Sequence, residues 1–249
     1  MEKKFLFVLF ISLVTLSFCF GYNPTLEELA YLADDCYSND LSPTRQYGYS
    51  MTDFRHGNSP GFQAVAYRKQ DIVVIAYRGT DSKADVIADS GILVNSDDAF
   101  FKLLGYAYRL GSVNFGNAQQ RLDSHAQDAF NFFASTVRRS NSARVVIVGH
   151  SLGGYLAQIV GGTDKDVTTV TFNAPGALTY SPSRFGNMAV IYDQRATAKI
   201  TNFVANGFIN IVPRGTFRGN VEYIRGITHF MSEVYDTIRR DPQLSGRRF

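Results

Sequence analysis

The chain has 249 residues, of which 45% are hydrophobic and 19% charged, and a formal net charge of +3. These values suit a globular protein of one large α/β domain or two small ones, with 20 Phe and 14 Tyr to fill a core. So small a charge excess, without a long basic run, argues against nucleic acid as a partner, and Arg239, Arg240, Arg247 and Arg248 read as a mildly basic, solvated C-terminus.

The chain opens with "MEKK", followed by "FLFVLFISLVTLSFCF" and Gly21. A charged start, an apolar stretch of about 16 residues and small residues (Cys19 and Gly21) at the −3 and −1 positions predict a signal peptide over 1–21. The apolar stretch is short for a membrane span, and bulky Phe18 argues against a lipoprotein site at Cys19. The expectation is an exported protein, secreted or periplasmic, whose processed chain starts near Tyr22. Only Cys36 then remains, so an intrachain disulfide is excluded and the core must supply the stability. No repeat, low-complexity tract or linker divides residues 22–249, which are therefore expected to form a single domain.

"NPTLEELAYLADDCYS" predicts an amphipathic helix, with Thr25 as N-cap, Glu27 and Glu28 in the first turn, and Leu26, Leu29, Ala30 and Ala33 on one face. "GFQAVAYRKQ" and "DIVVIAYRGT" predict two strands of a hairpin. A helix is expected around 117–139, with Ala126, Phe130, Phe133 and Val137 on its apolar face. "RVVIVG" is a continuous apolar run, as in strands buried on both faces. "YLAQIVGG" predicts a helix ended by glycines. "VTTVTFNAPG" and "AKITNFVA" predict further strands, and "HFMSEVYDTIRR" a helix stopped before Pro242. Strands alternating with helices indicate an α/β fold: a mostly parallel central sheet with helices on both faces.

Within "VVIVGHSLGGYLAQ", a buried strand runs into Gly149-His150-Ser151-Leu152-Gly153 and then a helix. A serine at so sharp a turn needs tiny neighbours two residues away on each side. It then projects its Oγ at the start of the helix, where the next backbone N–H, on Leu152, can stabilise an oxyanion. The bland alternative is a tight strand–helix turn without chemistry. A serine nucleophile needs a base, and the chain has four histidines. His150 lies inside the turn, whereas His56 and His125 precede the serine. His229 follows it, in the nucleophile–acid–histidine order of α/β-hydrolases, and is the candidate base.

These motifs resemble the class 3 (fungal-type) lipase family of α/β-hydrolases, over about Leu26 to Arg240. "VIVGHSLGG" resembles its nucleophile elbow and "AYRGT" (76–80) its oxyanion strand end. "TFNAPG" (171–176) resembles the strand after the elbow, "NIVPR" (210–214) the acid loop, and "THFM" (228–231) the histidine segment. The resemblance implies Ser151 as nucleophile, His229 as base, and Thr80 with Leu152 as the oxyanion donors. It places a lid at 81–98, supported by Asp89. It implies ester hydrolysis without a cofactor or metal, acting on a lipid or other ester and allowing transient contact with a lipid surface. The oligomeric state stays open.

The chain departs from the family at the triad acid, where an aspartate before the "IVP" stretch is replaced by Asn210. Three readings stay open. Asn210 could orient His229 through its carboxamide oxygen, as the Asn of Cys-His-Asn proteases does. An acid such as Asp193 or Glu222 could serve, although Asp193 precedes the strand "AKITNFVA" and is expected at the wrong end of the sheet. Or the chain is a lipid- or protein-binding member with impaired catalysis.

Overall fold

The computed structural model of the chain describes residues 21–38, 40, 42–59, 61–79, 116–141, 143–178, 184–185, 188–206, 217–226 and 230–249. The expected leader, apart from Gly21, and the expected lid fall outside these residues.

Helix α1 (Leu26–Asp35) starts where the sequence places it. The Thr25 hydroxyl accepts the Glu28 N–H at 3.2 Å, and the Glu28 carboxylate accepts the Thr25 N–H at 3.0 Å, a reciprocal capping box. Its inward face carries Leu26, Leu29, Ala30, Leu32 and Ala33.

Strands β1 (Ser50–His56), β2 (Gln63–Lys69) and β3 (Ile72–Tyr77) run antiparallel, with β2 and β3 forming the expected hairpin. Helix α2 (Gly116–Arg139) then leads to β4 (Arg144–His150), α3 (Leu152–Gly161) and β5 (Thr168–Phe172). A two-residue pair, β6 (Arg184–Phe185) and β7 (Met188–Ala189), and a short helix α4 (Gln194–Thr197) follow. The chain continues through β8 (Ile200–Ala205), β9 (Asn220–Ile224), α5 (Met231–Arg240) and α6 (Pro242–Ser245).

Among the described residues, seven strands form one sheet in the order β1-β2-β3-β4-β5-β8-β9, parallel from β3 onward. The apolar strands divide their side chains by the two-residue pleat. Val73, Ile75, Tyr77, Val145 and Ile147 pack with α2 and α3 on one face. Val74, Ala76, Val146, Val148, Phe172 and Phe203 pack with α1 and α5 on the other. A strand covered on both sides has no polar face, which explains the unbroken apolar run before Gly149.

Two expectations need correction. The buried residues of α2 are Leu122, His125, Ala126, Asp128, Ala129, Phe132, Phe133 and Thr136. The helix is rotated toward Ala129 and Phe132, which leaves Phe130 half-buried and Val137 37% exposed. The C-terminal arginines are also not uniformly solvated. Arg239, Arg240 and Arg248 face solvent, Arg248 also donating to the Asn23 carbonyl at 2.7 Å, but Arg247 forks onto Glu222, with its Nη2 donating at 2.7 Å. The tail is pinned beside the start of α1, where the Leu26 N–H donates to the Arg247 carbonyl.

The turn from β4 into α3 is the tightest junction at the described carboxyl edge of the sheet. A Cβ on Gly149 would lie 2.3 Å from the Gly153 carbonyl oxygen, and one on Gly153 would lie 2.0 Å from the Tyr77 carbonyl oxygen. Only hydrogen fits at either place, so the first turn of α3 rests directly on the end of β3. Gly153→Ala is expected to cost about 3 kcal/mol or more, the upper end of overpacking, because the clash is with backbone. The readout is a lower urea midpoint at unchanged m value, and stability within about 0.5 kcal/mol of wild type would refute this packing.

Candidate active site

Ser151 is the N-cap of α3 and has φ 55° and ψ −125°. A non-glycine residue with positive φ is strained, at roughly 1–3 kcal/mol, and persists only where its surroundings hold it. Here the Ser151 N–H donates to the Phe172 carbonyl at 3.1 Å, and its own carbonyl accepts the Tyr155 N–H at 3.1 Å. The residue is 3% exposed. Leu152 opens the helix. The first N–H groups of a helix have no intrahelical acceptor and carry its positive dipole end, so Leu152 offers a donor beside the Ser151 side chain.

The end of β3 lies against this turn. A Cβ on Gly79 would sit 3.0 Å from Ser151 Cβ and 2.5 Å from the His150 carbonyl oxygen. The end of β8 is stitched to the end of β5 by Asn173, whose Oδ1 accepts the Ala205 N–H at 2.7 Å and whose N–H donates to the Phe203 carbonyl at 2.8 Å. Asn173 has φ 44°, a conformation that asparagine tolerates better than most residues. Because β3, β4, β5, β8 and β9 are parallel, Gly79, Ser151, Asn173 and Asn206 all lie along one carboxyl edge, where open α/β sheets place their sites. Thr80, Asp89, Asn210 and His229 lie outside the described residues.

The other histidines have other surroundings. His56 ends β1 and meets the Phe54 ring edge-on, and His125 is buried on α2 against Phe62. His150 directs Nδ1 to the Tyr37 hydroxyl at 2.7 Å. The two alternative acids are both engaged. Asp193 caps α4, and its N–H donates to the carbonyl of Gly162, just past the end of α3. The ten-residue α3, about 15 Å long, separates it from Ser151. The Arg195 side chain holds the Asp193 carboxyl below the usual carboxylate range. Glu222 points from β9 into the fork of Arg247, opposite Phe203 on the face covered by α1 and α5. Among the described residues, no His, Cys, Asp or Glu cluster gathers into a metal site.

Two residues that spacing did not single out tie these segments together, Tyr37 at the carboxyl edge and Gln158 farther along α3. Tyr37, just past α1, contacts both His150 Nδ1 and the Gly79 N–H, the latter at 3.0 Å. Gln158, buried on α3, accepts the Ala177 and Arg218 N–H groups, each at 3.2 Å, and donates to the Pro175 carbonyl at 2.7 Å. A glutamine on an apolar helix is the signal that could have marked the second. No local pattern marks the first.

Comparison with known proteins agrees with this architecture. The family profile described as Lipase (class 3) matches residues 74–219. An extracellular phospholipase A1 of Serratia liquefaciens is 29% identical over 168 residues, 64% of this chain and 44% of that protein, so the match spans less than half of the relative. Lipase II from Rhizopus niveus superposes with a TM-score of 0.50 at 18% identity, covering 82% of each chain, which supports the α/β-hydrolase fold. A lipase from Yarrowia lipolytica aligns over 82% of each chain at 14% identity with a TM-score of 0.48. The profile match extends from β3, through the serine elbow, to the loop before β9, and the chain belongs to the class 3 lipase family.

Proposed function

We propose that the protein is an exported serine hydrolase that cleaves fatty-acyl esters of lipids through an acyl-enzyme. The observation that carries this reading is Ser151, strained at φ 55° between β4 and α3, at the carboxyl edge of the sheet. Ser151 Oγ attacks the ester carbonyl while His229 takes its proton and passes it to the leaving alcohol. The oxyanion is held by the Leu152 N–H and by Thr80, for which the position of Gly79 against Ser151 gives support. Water, activated by the same histidine, then releases the fatty acid. Asp89 supports the lid. The named activity of the Serratia relative favours a phospholipid or related acyl lipid as substrate.

Asn210 takes the third triad position in this reading. With Asp193 near the far end of α3 and Glu222 engaged by Arg247, a carboxamide oxygen is the better candidate to accept the His229 Nδ1–H. It fixes the tautomer but cannot stabilise the imidazolium by charge, so turnover is expected to be attenuated. Residual catalysis by the oxyanion hole and by binding, roughly 10³–10⁴-fold over water, survives loss of triad function.

Export is supported by the leader-like start of the sequence and by the extracellular relative, and the Tyr22 backbone nitrogen donates to Asp71 Oδ1 at 3.1 Å. Cleavage after Gly21 would make this an ammonium–carboxylate pair. The protein recovered outside the cytoplasm is expected to begin at Tyr22 by N-terminal sequencing, and an intact "MEKK" start would overturn the leader.

Purified protein is expected to release fatty acid from phospholipid or p-nitrophenyl esters, with Ser151→Ala abolishing release and a fluorophosphonate labelling only the wild type. If both proteins are inert and unlabelled, the chain is a binding member of its family. Asn210→Asp is expected to raise kcat, by up to about 10⁴-fold; an unchanged rate would place the acid elsewhere, and a lower one would mean that the amide is tuned to its role or that the acid lies elsewhere.

A further inference from the structure

We infer that Tyr37 is a positioning residue for the hydrolysis proposed above: its hydroxyl bridges the end of β3 to His150, setting the spacing between the oxyanion strand and the nucleophile and holding His150 as the Nε2–H tautomer. The kinetic part of this inference rests on the esterase reading, whereas the tautomer does not.

The Gly79 backbone N–H can only donate, so the Tyr37 oxygen accepts it, at 3.0 Å. Of the two neighbours only His150 Nδ1, at 2.7 Å, can accept the hydroxyl proton, and we assign the bond that direction. A neutral imidazole that accepts at Nδ1 carries its proton on Nε2. Burial pushes the Tyr37 hydroxyl well above its ordinary range, so it remains a donor at any working pH.

The bridge is held from its own side. The Tyr37 N–H donates to the Asp34 carbonyl at 3.0 Å, and the carbonyl of Cys36 accepts from Gln63 Nε2 at 2.7 Å. Gln63 in turn accepts the Arg78 N–H through its backbone carbonyl at 3.0 Å. The segment after α1 is thereby tied to β2 and the end of β3, and its phenol reaches across to the last residue of β4. At Gly79 there is no room for a side chain, since a Cβ would meet both the Tyr37 Oη and the His150 carbonyl oxygen at 2.5 Å. Gly79 immediately precedes Thr80, and His150 immediately precedes Ser151. One hydroxyl therefore spans the two chain segments whose separation decides whether an oxyanion on a Ser151 adduct meets its donors. A misplacement of about 1 Å in such a site can cost on the order of 10²-fold.

Tyr37→Phe removes the hydroxyl and keeps the ring, including its edge contact with His150 at 5.8 Å. The expected result is a folded protein with kcat on p-nitrophenyl esters lowered by roughly 10- to 100-fold and KM within about twofold. Wild-type kcat per folded molecule, or a loss fully explained by unfolding, would overturn the positioning role. In parallel, ¹⁵N chemical shifts of the His150 ring, assigned through a His150→Asn variant, are expected to show the Nε2–H tautomer in the wild type and a changed tautomer balance in Tyr37→Phe. A neutral Nδ1–H ring in the wild type would overturn the bridge. An inert wild type with the expected tautomer and its change would remove the hydrolase reading and keep the Tyr37–His150 bond, so the two failures are distinguishable.

Discussion

The close approach of the first turn of α3 to the end of β3 governs the site. Gly153 lies so near the Tyr77 carbonyl oxygen that a methyl group has no place there, and Gly149 lies equally tight under Gly153. This contact allows a chain leaving a buried strand to reverse into a helix within one residue. That residue, Ser151, takes a backbone conformation that side chains rarely adopt. The strain is offset by the two covered faces of the sheet, since β4 cannot shift without opening the core formed with α2 and α3 on one side or α1 and α5 on the other.

The same contact makes the elbow dependent on distant parts of the chain. Helix α1 covers the sheet face opposite α3, yet the residue just past its end, Tyr37, reaches the carboxyl edge and joins Gly79 to His150. The C-terminal tail returns to the start of α1, where Leu26 and Arg247 share a backbone bond. Asn173 fastens the end of β5 to the end of β8 at this edge, and Gln158, farther along α3, joins the segment leaving β5 to the one preceding β9. The described edge is thus a set of strand ends fixed by buried polar bonds, the arrangement that preorganised oxyanion chemistry requires.

The interior strands were legible because burial on both faces demands unbroken apolar runs, and "RVVIVG" and "DIVVIAY" obey that demand. The outer strands were not. β1 is "SMTDFRH" and β9 is "NVEYI", both edge strands with one side open to water, so their polar residues mask the pleat. The bulge in β1 between Met51 and Asp53 breaks the alternation further. The face of α2 was misplaced for a related reason. Phe132 and Phe133 are adjacent, and which of them leads the stripe depends on the sheet beneath, not on the spacing within the helix. The fork of Arg247 onto Glu222 joins residues 25 positions apart, and no local rule connects them.

By itself the sequence determined the sharp strand-to-helix turn at Ser151 and the alternation of strands and helices. Both arise from local constraints: glycines that permit a sharp turn, and apolar periods that match one kind of element. The order of elements also set Asp193 at the end of the sheet away from Ser151, whereas tertiary structure alone decided that Glu222 is held by Arg247 and that Tyr37 joins His150 to the end of β3. Those outcomes depend on strand order and on the direction in which each strand runs. Such long-range geometry leaves no periodic trace in the chain, because bonds such as that between Tyr37 and His150 join residues 113 positions apart.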